Sequence, residues 1–80
     1  MWVFESARDH GIADDDACYV AENPVVVLLM REDPPAEMRL GYDKSGRALE
    51  VGVELRPHGW VLFHANKMTK AYEKLMKEAL

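Results

Sequence analysis

The residues of this chain best suited to chemistry are a histidine and the lysines that follow it. His64 stands at the predicted junction between a strand and a helix, and a histidine can accept or donate a proton near neutral pH. The lysines recur at spacings of three, four and three residues, so they line one side of the predicted helix: Lys67, Lys70, Lys74 and Lys77. This stripe is either a solvated face or a contact for phosphate groups or for a partner protein.

Arg47 and His58 are further candidates, each with a plainer alternative. Arg47 opens a predicted strand and can hold a phosphate through two parallel hydrogen bonds, but a solvated hairpin residue gives the same pattern. His58 lies between Pro57 and Gly59, where a turn residue is expected. The position of His64 is equally explained by a histidine hydrogen-bonded at the end of a strand.

Other familiar reaction centres and metal sites are absent from the sequence. There is no order of serine, histidine and aspartate, no glycine-rich phosphate loop, no catalytic carboxylate pair and no zinc spacing. Asp14, Asp15 and Asp16 cannot converge on one ion, because consecutive residues of a helix diverge by about 100°. We therefore expect neither a metal nor another cofactor.

Size and composition predict a single domain over residues 1–80. The apolar fraction of 49% is that of a globular protein, and the single cysteine, Cys18, excludes an internal disulfide and is expected to be a packing residue. No apolar run approaches the roughly 18 residues of a membrane span and no signal peptide is visible, so we expect a cytoplasmic protein without a membrane partner. The net charge of −4 argues against general nucleic-acid binding, but most bases lie in residues 41–80, which leaves room for a local basic patch.

The first half of the chain predicts two short helices and a strand. The predicted elements are a helix over residues 2–10, a helix that begins at Asp14 as its cap, a buried strand over 25–30 and a polar loop over 31–35. Gly11 ends the first helix, and Asn23 with Pro24 ends the second. The strand follows from a β-branched run too short for an independent helix.

The second half predicts three strands and a closing helix. The strands cover residues 38–42, 47–56 and 60–65, and the helix covers 67–80 with an apolar stripe. Apolar and polar residues alternate through 49–55, and turn signals at 43–46 and 57–59 predict two hairpins. The expected fold is α+β, with two short N-terminal helices, a four-stranded mainly antiparallel sheet and a C-terminal helix packed on it, the helices lying mainly on one face.

Four short motifs, in order along nearly the whole chain, resemble those of the BrnT-like toxins within the RelE/ParE-type toxin superfamily. They are His10-Gly11-Ile12 before an acidic helix start, Glu22-Asn23-Pro24 before a valine run, Gly41 with the segment 45–51, and His64-Ala65 with Met68 and Tyr72. The resemblance implies a RelE/ParE-like fold. It also implies a toxin component of a type II toxin–antitoxin system, an endoribonuclease that inhibits translation and is held inactive by a cognate antitoxin.

Metal-independent cleavage of RNA needs a base for the 2′-hydroxyl, an acid for the leaving oxygen and cations for the phosphate. Under the resemblance we expect His64 and Arg47 to be catalytic, and Lys67, Lys70 and Lys74 to bind RNA. The expected partners are the antitoxin and RNA, with oligomers forming through the antitoxin.

A non-catalytic interaction module derived from the same fold is the alternative. Asn66 stands where the resemblance leads one to expect an arginine, and the sequence pI is about 5.2. Glu50 and Glu54 share one face of their predicted strand, and a negative face in the RNA groove would repel the substrate.

Overall fold

The computed structural model describes all 80 residues and shows an α+β fold built on one mixed sheet of five strands. The strands are β1 (Trp2–Val3), β2 (Val26–Glu32), β3 (Pro35–Tyr42), β4 (Ala48–Arg56) and β5 (Gly59–Lys67), and the helices are α1 (Asp14–Glu22) and α2 (Lys70–Ala79). The sheet order is β1-β5-β4-β3-β2, with β1 parallel to β5 and the other neighbours antiparallel. Neither helix is long and apolar enough to cross a membrane.

The N-terminal helix predicted over residues 2–10 is wrong. Strand β1 pairs in parallel with residues 61–62 of β5, and only Glu5–Arg8 are helical, as one 3₁₀ turn. Aromatic and β-branched residues favour a strand once a partner strand is present, and that partner comes from the other end of the chain. Gly11 does end the segment, with a φ of 73° that suits a glycine. The sheet therefore has five strands rather than the predicted four.

Helix α1 is confirmed between its acidic start and the Asn23 that ends it. Its N-cap is Ala13, so Asp14 is the first helical residue rather than the predicted cap, and its carboxylate pairs with Arg8 at 2.8 Å. Cys18 is half-buried against the core, as expected. Burial raises the pKa of its thiol.

The three hairpins join the antiparallel strands. The predicted turns at 43–46 and 57–59 connect β3 to β4 and β4 to β5, which confirms both predicted hairpins. The loop predicted over 31–35 is shorter, because backbone pairing of β2 with β3 continues to Glu32 and Pro35. The prediction that residues 25–30 form a buried strand is wrong, because β2 is an edge strand and its apolar side chains are largely exposed. Longer strands satisfy more backbone groups than a loop at the surface does.

The two helices lie on opposite faces of the sheet, whereas the sequence predicted helices mainly on one face. Neighbouring residues of a strand point to opposite faces, and residues paired across strands share a face. Leu49 packs in the cluster that includes Val20 of α1, while Leu40, the partner of Glu50, packs in the cluster that includes Met76 of α2. We call these surfaces the α1 face and the α2 face.

The α1 face holds most of the core, and the α2 face is only partly covered. The buried residues beneath α1 include Leu49, Val51, Val53, Leu62 and Ala65. On the other side, only Met76 of α2 is buried, and it packs against Met38 and Leu40. Helix α2 begins at Lys70 rather than at residue 67, because β5 continues to Lys67 by pairing with β4. We call the remainder of the α2 face, over β4, β5 and β1, the open face.

Leu62→Ala tests the core beneath α1. Leu62 is fully buried, so the cavity left by the smaller side chain should lower the free energy of unfolding by about 2–5 kcal/mol. Leu80→Ala is the matched control, because Leu80 is 74% exposed and its truncation should change stability by less than about 0.5 kcal/mol. Denaturant unfolding compares the two variants, and equal midpoints would contradict the core assigned here.

Candidate active site

A β-bulge in β5 places two side chains over one glycine of β4. Gly52 pairs with His64 and Val53 pairs with Leu62, so Phe63 is an extra residue between them. A Cβ atom at Gly52 would lie 2.8 Å from the Phe63 ring and 3.1 Å from the Cβ of His64, so both side chains lie on the open face. Bulges often redirect a side chain next to a functional site.

The imidazole of His64 is held by a buried carboxylate. Its Nε2 lies 3.0 Å from Glu50 Oε2, and Glu50 Oε1 accepts a hydrogen bond of 2.6 Å from the Thr69 backbone N–H. The side chain of Glu50 is 4% exposed and that of His64 is 28% exposed. A carboxylate can only accept hydrogen bonds, so Nε2 carries the proton, and Nδ1 of the neutral ring keeps the lone pair of a base.

A second imidazole lies beside the first. The rings of His10 and His64 meet edge to face, with their centroids 5.6 Å apart. His10 is exposed and follows the 3₁₀ turn, whose Ser6 hydroxyl donates a 2.7 Å hydrogen bond to the carbonyl oxygen of Phe63. That bond ties the N-terminal segment to the edge of β5. The result is two adjacent imidazoles, one oriented and one free to meet solvent, which suits acid–base chemistry.

Arg47 does not reach this pair. Its guanidinium lies 3.0 Å from Asp43 and 3.5 Å from Asp16 of α1, on the α1 face. Along β4 it precedes Gly52, the partner of His64, by five residues, or about 17 Å. The structure therefore places the predicted catalytic arginine in an ion-pair network that closes the β3–β4 turn.

One predicted RNA-binding lysine lies on the opposite face, and the other two belong to the helix that begins beside Glu50. Lys67 is the last residue of β5 and pairs with Leu49, which places it on the α1 face. Lys70 and Lys74 belong to α2 and line a shallow groove along that helix. None of them pairs with His64, whose hydrogen bond goes to the carboxylate described above.

Two arginines that the sequence analysis did not single out lie on the open face. Arg31 and Arg56 both donate hydrogen bonds to the carboxylate of Glu54. These hydrogen bonds lower the pKa of the Glu54 carboxyl, and the bond from Arg31 has the larger effect. Glu50 and Glu54 share this face, as predicted. Neither glutamate presents an unpaired negative charge, because Glu50 is buried and hydrogen-bonded and Glu54 lies between two guanidinium groups. The expected repulsion of a polyanion is therefore offset.

An aromatic groove extends the open face toward β1. Its volume is about 820 Å³, and its lining includes Trp2 and Phe4, with His58 at the turn as expected. Trp60 also borders the groove, but it pairs with Leu55 and packs against the core of the α1 face. Trp2 is 71% exposed, and the guanidinium of Arg56 lies 5.5 Å from the centre of the Phe4 ring. Exposed rings beside a guanidinium provide surfaces on which an unpaired base can stack.

Sequence reasoning missed His10 as a neighbour of His64 and missed the groove. One available signal was the run of aromatic and β-branched residues from Trp2 to Phe4, which favours a strand. The other was Gly52, because a glycine inside a strand pattern often marks a bulge. Both signals indicate local backbone structure, but neither shows which residues of the chain lie beside it in the sheet.

Comparison with known proteins gives no relative: no family model, no curated protein and no solved structure matches the chain. The structure contains no group of three or more His, Cys, Asp or Glu side chains that could hold a metal ion. Imidazole, carboxylate, guanidinium and aromatic groups are what the open face offers to a ligand.

Gly52→Ala tests whether the bulge holds the site in shape. The added methyl group would lie 2.8 Å from the Phe63 ring, so the ring and the neighbouring His64 must shift, at a cost of about 1–3 kcal/mol in the free energy of unfolding. In a Phe63→Leu background the ring is gone, and the same substitution should cost much less. Thermal unfolding of all four proteins completes the cycle. Equal costs in both backgrounds would contradict the contact.

Asp43→Asn tests the network that holds Arg47. Hydrogen bonds from the Arg47 backbone N–H, from the Ser45 hydroxyl and from the Arg47 side chain lower the pKa of the Asp43 carboxyl. A carboxyl whose pKa falls on folding stabilises the protein above its unfolded pKa of about 4, and this contribution is lost as the pH falls further. The wild type should therefore be more stable than the variant near neutral pH, and the difference should narrow at about pH 3. Urea unfolding at both pH values measures it, and a constant difference would speak against the network.

Proposed function

We propose that this protein is the toxin component of a type II toxin–antitoxin pair and acts in the cytoplasm as a metal-independent endoribonuclease. The observation that carries the proposal is the pair of adjacent imidazoles on the open face, one of which, His64, is oriented by the buried Glu50. The resemblance of the sequence motifs to the BrnT-like toxins supports the same function and a RelE/ParE-like form of the α+β fold. The cognate antitoxin would keep the enzyme inactive by covering this face.

The proposed reaction uses the two histidines as base and acid. Nδ1 of His64 takes the proton of a ribose 2′-hydroxyl, and the oxygen attacks the adjacent phosphorus. The bond from phosphorus to the 5′-oxygen of the next nucleotide breaks, and a protonated His10 supplies the proton to that oxygen. The products are a 2′,3′-cyclic phosphate and a 5′-hydroxyl. Glu50 stabilises the positive charge that His64 gains.

The open face also offers contacts for single-stranded RNA. Stacking of a base on an aromatic ring contributes about 1–3 kcal/mol, and the rings of Trp2 and Phe4 are placed for it, next to Arg56. Lys70 and Lys74 on the neighbouring α2 are proposed phosphate contacts. A role for Lys67 or Arg47 requires the RNA to pass around the end of the sheet, because both lie on the α1 face.

A non-catalytic interaction module is the second candidate. It is favoured by the placement of the arginines: Arg47 lies on the α1 face, and Arg31 and Arg56 are paired with Glu54, whereas cleavage needs a cation beside the phosphate. Under this candidate the protein binds a partner stably and cuts no RNA.

Glu50→Gln is the sharpest test of the proposed reaction. The glutamine oxygen still accepts from the Thr69 N–H, but its amide donates to Nε2 of His64 and moves the ring proton to Nδ1, which then cannot act as a base. Cleavage of labelled single-stranded RNA should fall by about 10²- to 10⁴-fold, and His64→Ala should be at least as impaired. Glu78→Gln, an exposed change on α2, is the matched control and should cut normally.

The products separate this reaction from other nuclease activity. RNA fragments should end in a 2′,3′-cyclic phosphate, and a 2′-deoxyribose at the cleaved position should block cutting. Circular dichroism of each variant distinguishes lost activity from lost structure. Wild-type protein that gives no such product, or a Glu50→Gln variant as fast as wild type, would remove the enzymatic proposal and leave the interaction module.

A further inference from the structure

Strand β2 is an edge of the sheet with an unshielded outer side. Its single neighbour is β3, so the backbone N–H and C=O groups on the other side of its seven residues face solvent. Native proteins usually shield such an edge with lysines, prolines or a covering helix. Val26–Glu32 contains no lysine or proline, and α1 lies over β3, β4 and β5 instead. A bulge at Met30 interrupts the pairing of β2 with β3, so Val26–Leu29 is the regular part of the edge.

Large apolar side chains are exposed along this edge. They are between 46% and 61% exposed and we call them the β2 strip: Val25, Val27, Leu29 and Met30. Val27 and Leu29 pair with Arg39 and Glu37 of β3, which places them on the α1 face but beyond α1 itself. Contiguous exposed apolar side chains of this kind mark interaction sites.

Acidic side chains flank the strip at both ends. Glu22 ends α1 shortly before β2, and Glu32 and Asp33 stand at the far end of the strand. All three are exposed and none takes part in an ion pair, whereas the nearby Arg31 and Arg39 are already paired with other carboxylates. The edge therefore combines free backbone groups, apolar contacts and uncompensated negative charge.

We propose that the β2 edge binds an extended, positively charged segment of a partner protein, which adds a sixth strand to the sheet. A segment of about seven residues matches the length of β2, roughly 24 Å. Its backbone pairs with the outer side of β2, its alternate apolar side chains lie on the β2 strip, and its lysines or arginines meet the flanking acids. Backbone pairing supplies affinity, and the apolar and charge pattern supplies selectivity.

A second copy of the chain is a poor occupant of the same edge. Two edge strands related by a twofold axis pair antiparallel, so the end of one β2 would lie beside the start of the other. Glu32 and Asp33 of one copy would then approach Glu22 of the other, and like charges facing each other are destabilising. The lysines or arginines of a cationic segment would instead form favourable ion pairs with these acidic side chains.

The β2 edge is also separate from the imidazole pair. Strands β3 and β4 lie between β2 and β5, three strand spacings of about 4.8 Å, and His64 lies on the opposite face from the β2 strip. A bound segment leaves the open face free. The binding test below therefore succeeds or fails independently of RNA cleavage.

The test uses a labelled peptide of about nine residues in which valine alternates with lysine or threonine, and a second peptide with glutamate in place of each lysine. Fluorescence anisotropy with the full chain should show the lysine peptide binding at least about tenfold more tightly than the glutamate peptide. Leu29→Lys should weaken that binding by about tenfold or more, because it removes an apolar contact and adds a like charge. Leu75→Lys on α2, also at an exposed leucine, is the matched control and should not change it.

Amide hydrogen exchange shows where the peptide binds. Added protection confined to residues 26–32 supports the proposal. Equal binding of the two peptides, equal effects of Leu29→Lys and Leu75→Lys, or protection elsewhere overturns it. Sedimentation equilibrium of the protein alone tests whether a second copy of the chain occupies the β2 edge. If the wild type forms a dimer and Leu29→Lys dissociates it, the edge belongs to a second copy and the proposal is overturned.

Discussion

A buried carboxylate fixes the relation between the sheet and its second helix. Glu50 lies on the central strand with its side chain 4% exposed, and a charge in such a position is tolerated only when it is hydrogen-bonded. One oxygen contacts His64 on β5, and the other accepts the backbone N–H of Thr69, the N-cap residue of α2. The same side chain therefore sets the orientation of the candidate catalytic ring and the starting point of the helix.

The position at which α2 begins explains why part of the α2 face stays open. From its anchor beside Glu50, α2 packs on β2 and β3, where Met76 contacts Met38 and Leu40, so it leaves His64 partly exposed. Helix α1 is held differently, by fully buried apolar side chains such as Val20 packed on β4. Stability comes mainly from the apolar α1 face. The hydrogen-bonded pair of Glu50 and His64 lies on the other side of the same strands.

The sequence predicted the parts of this structure whose signals are local. Helix α1 follows from its acidic start and its Asn23–Pro24 end, and the two later hairpins follow from turns and alternation within a few residues. Strand β1 was missed because its partner lies at the other end of the chain. Alternation shows that β4 has a buried face but not which helix covers it. His64 was selected because it ends a predicted strand, but its neighbours Glu50 and His10 depend on strand register, which the bulge opposite Gly52 alters.

The uneven distribution of charge along the chain gives the two helices opposite net charges. Helix α1 carries four acids and no base, whereas α2 carries three lysines against two glutamates. The helices lie on opposite faces of the sheet. Helix α1 therefore adds negative charge to its face, and helix α2 adds a small excess of positive charge to the other. The net charge of −4 is a poor guide to local binding here, because it averages an acidic helix and a slightly basic helix on opposite faces.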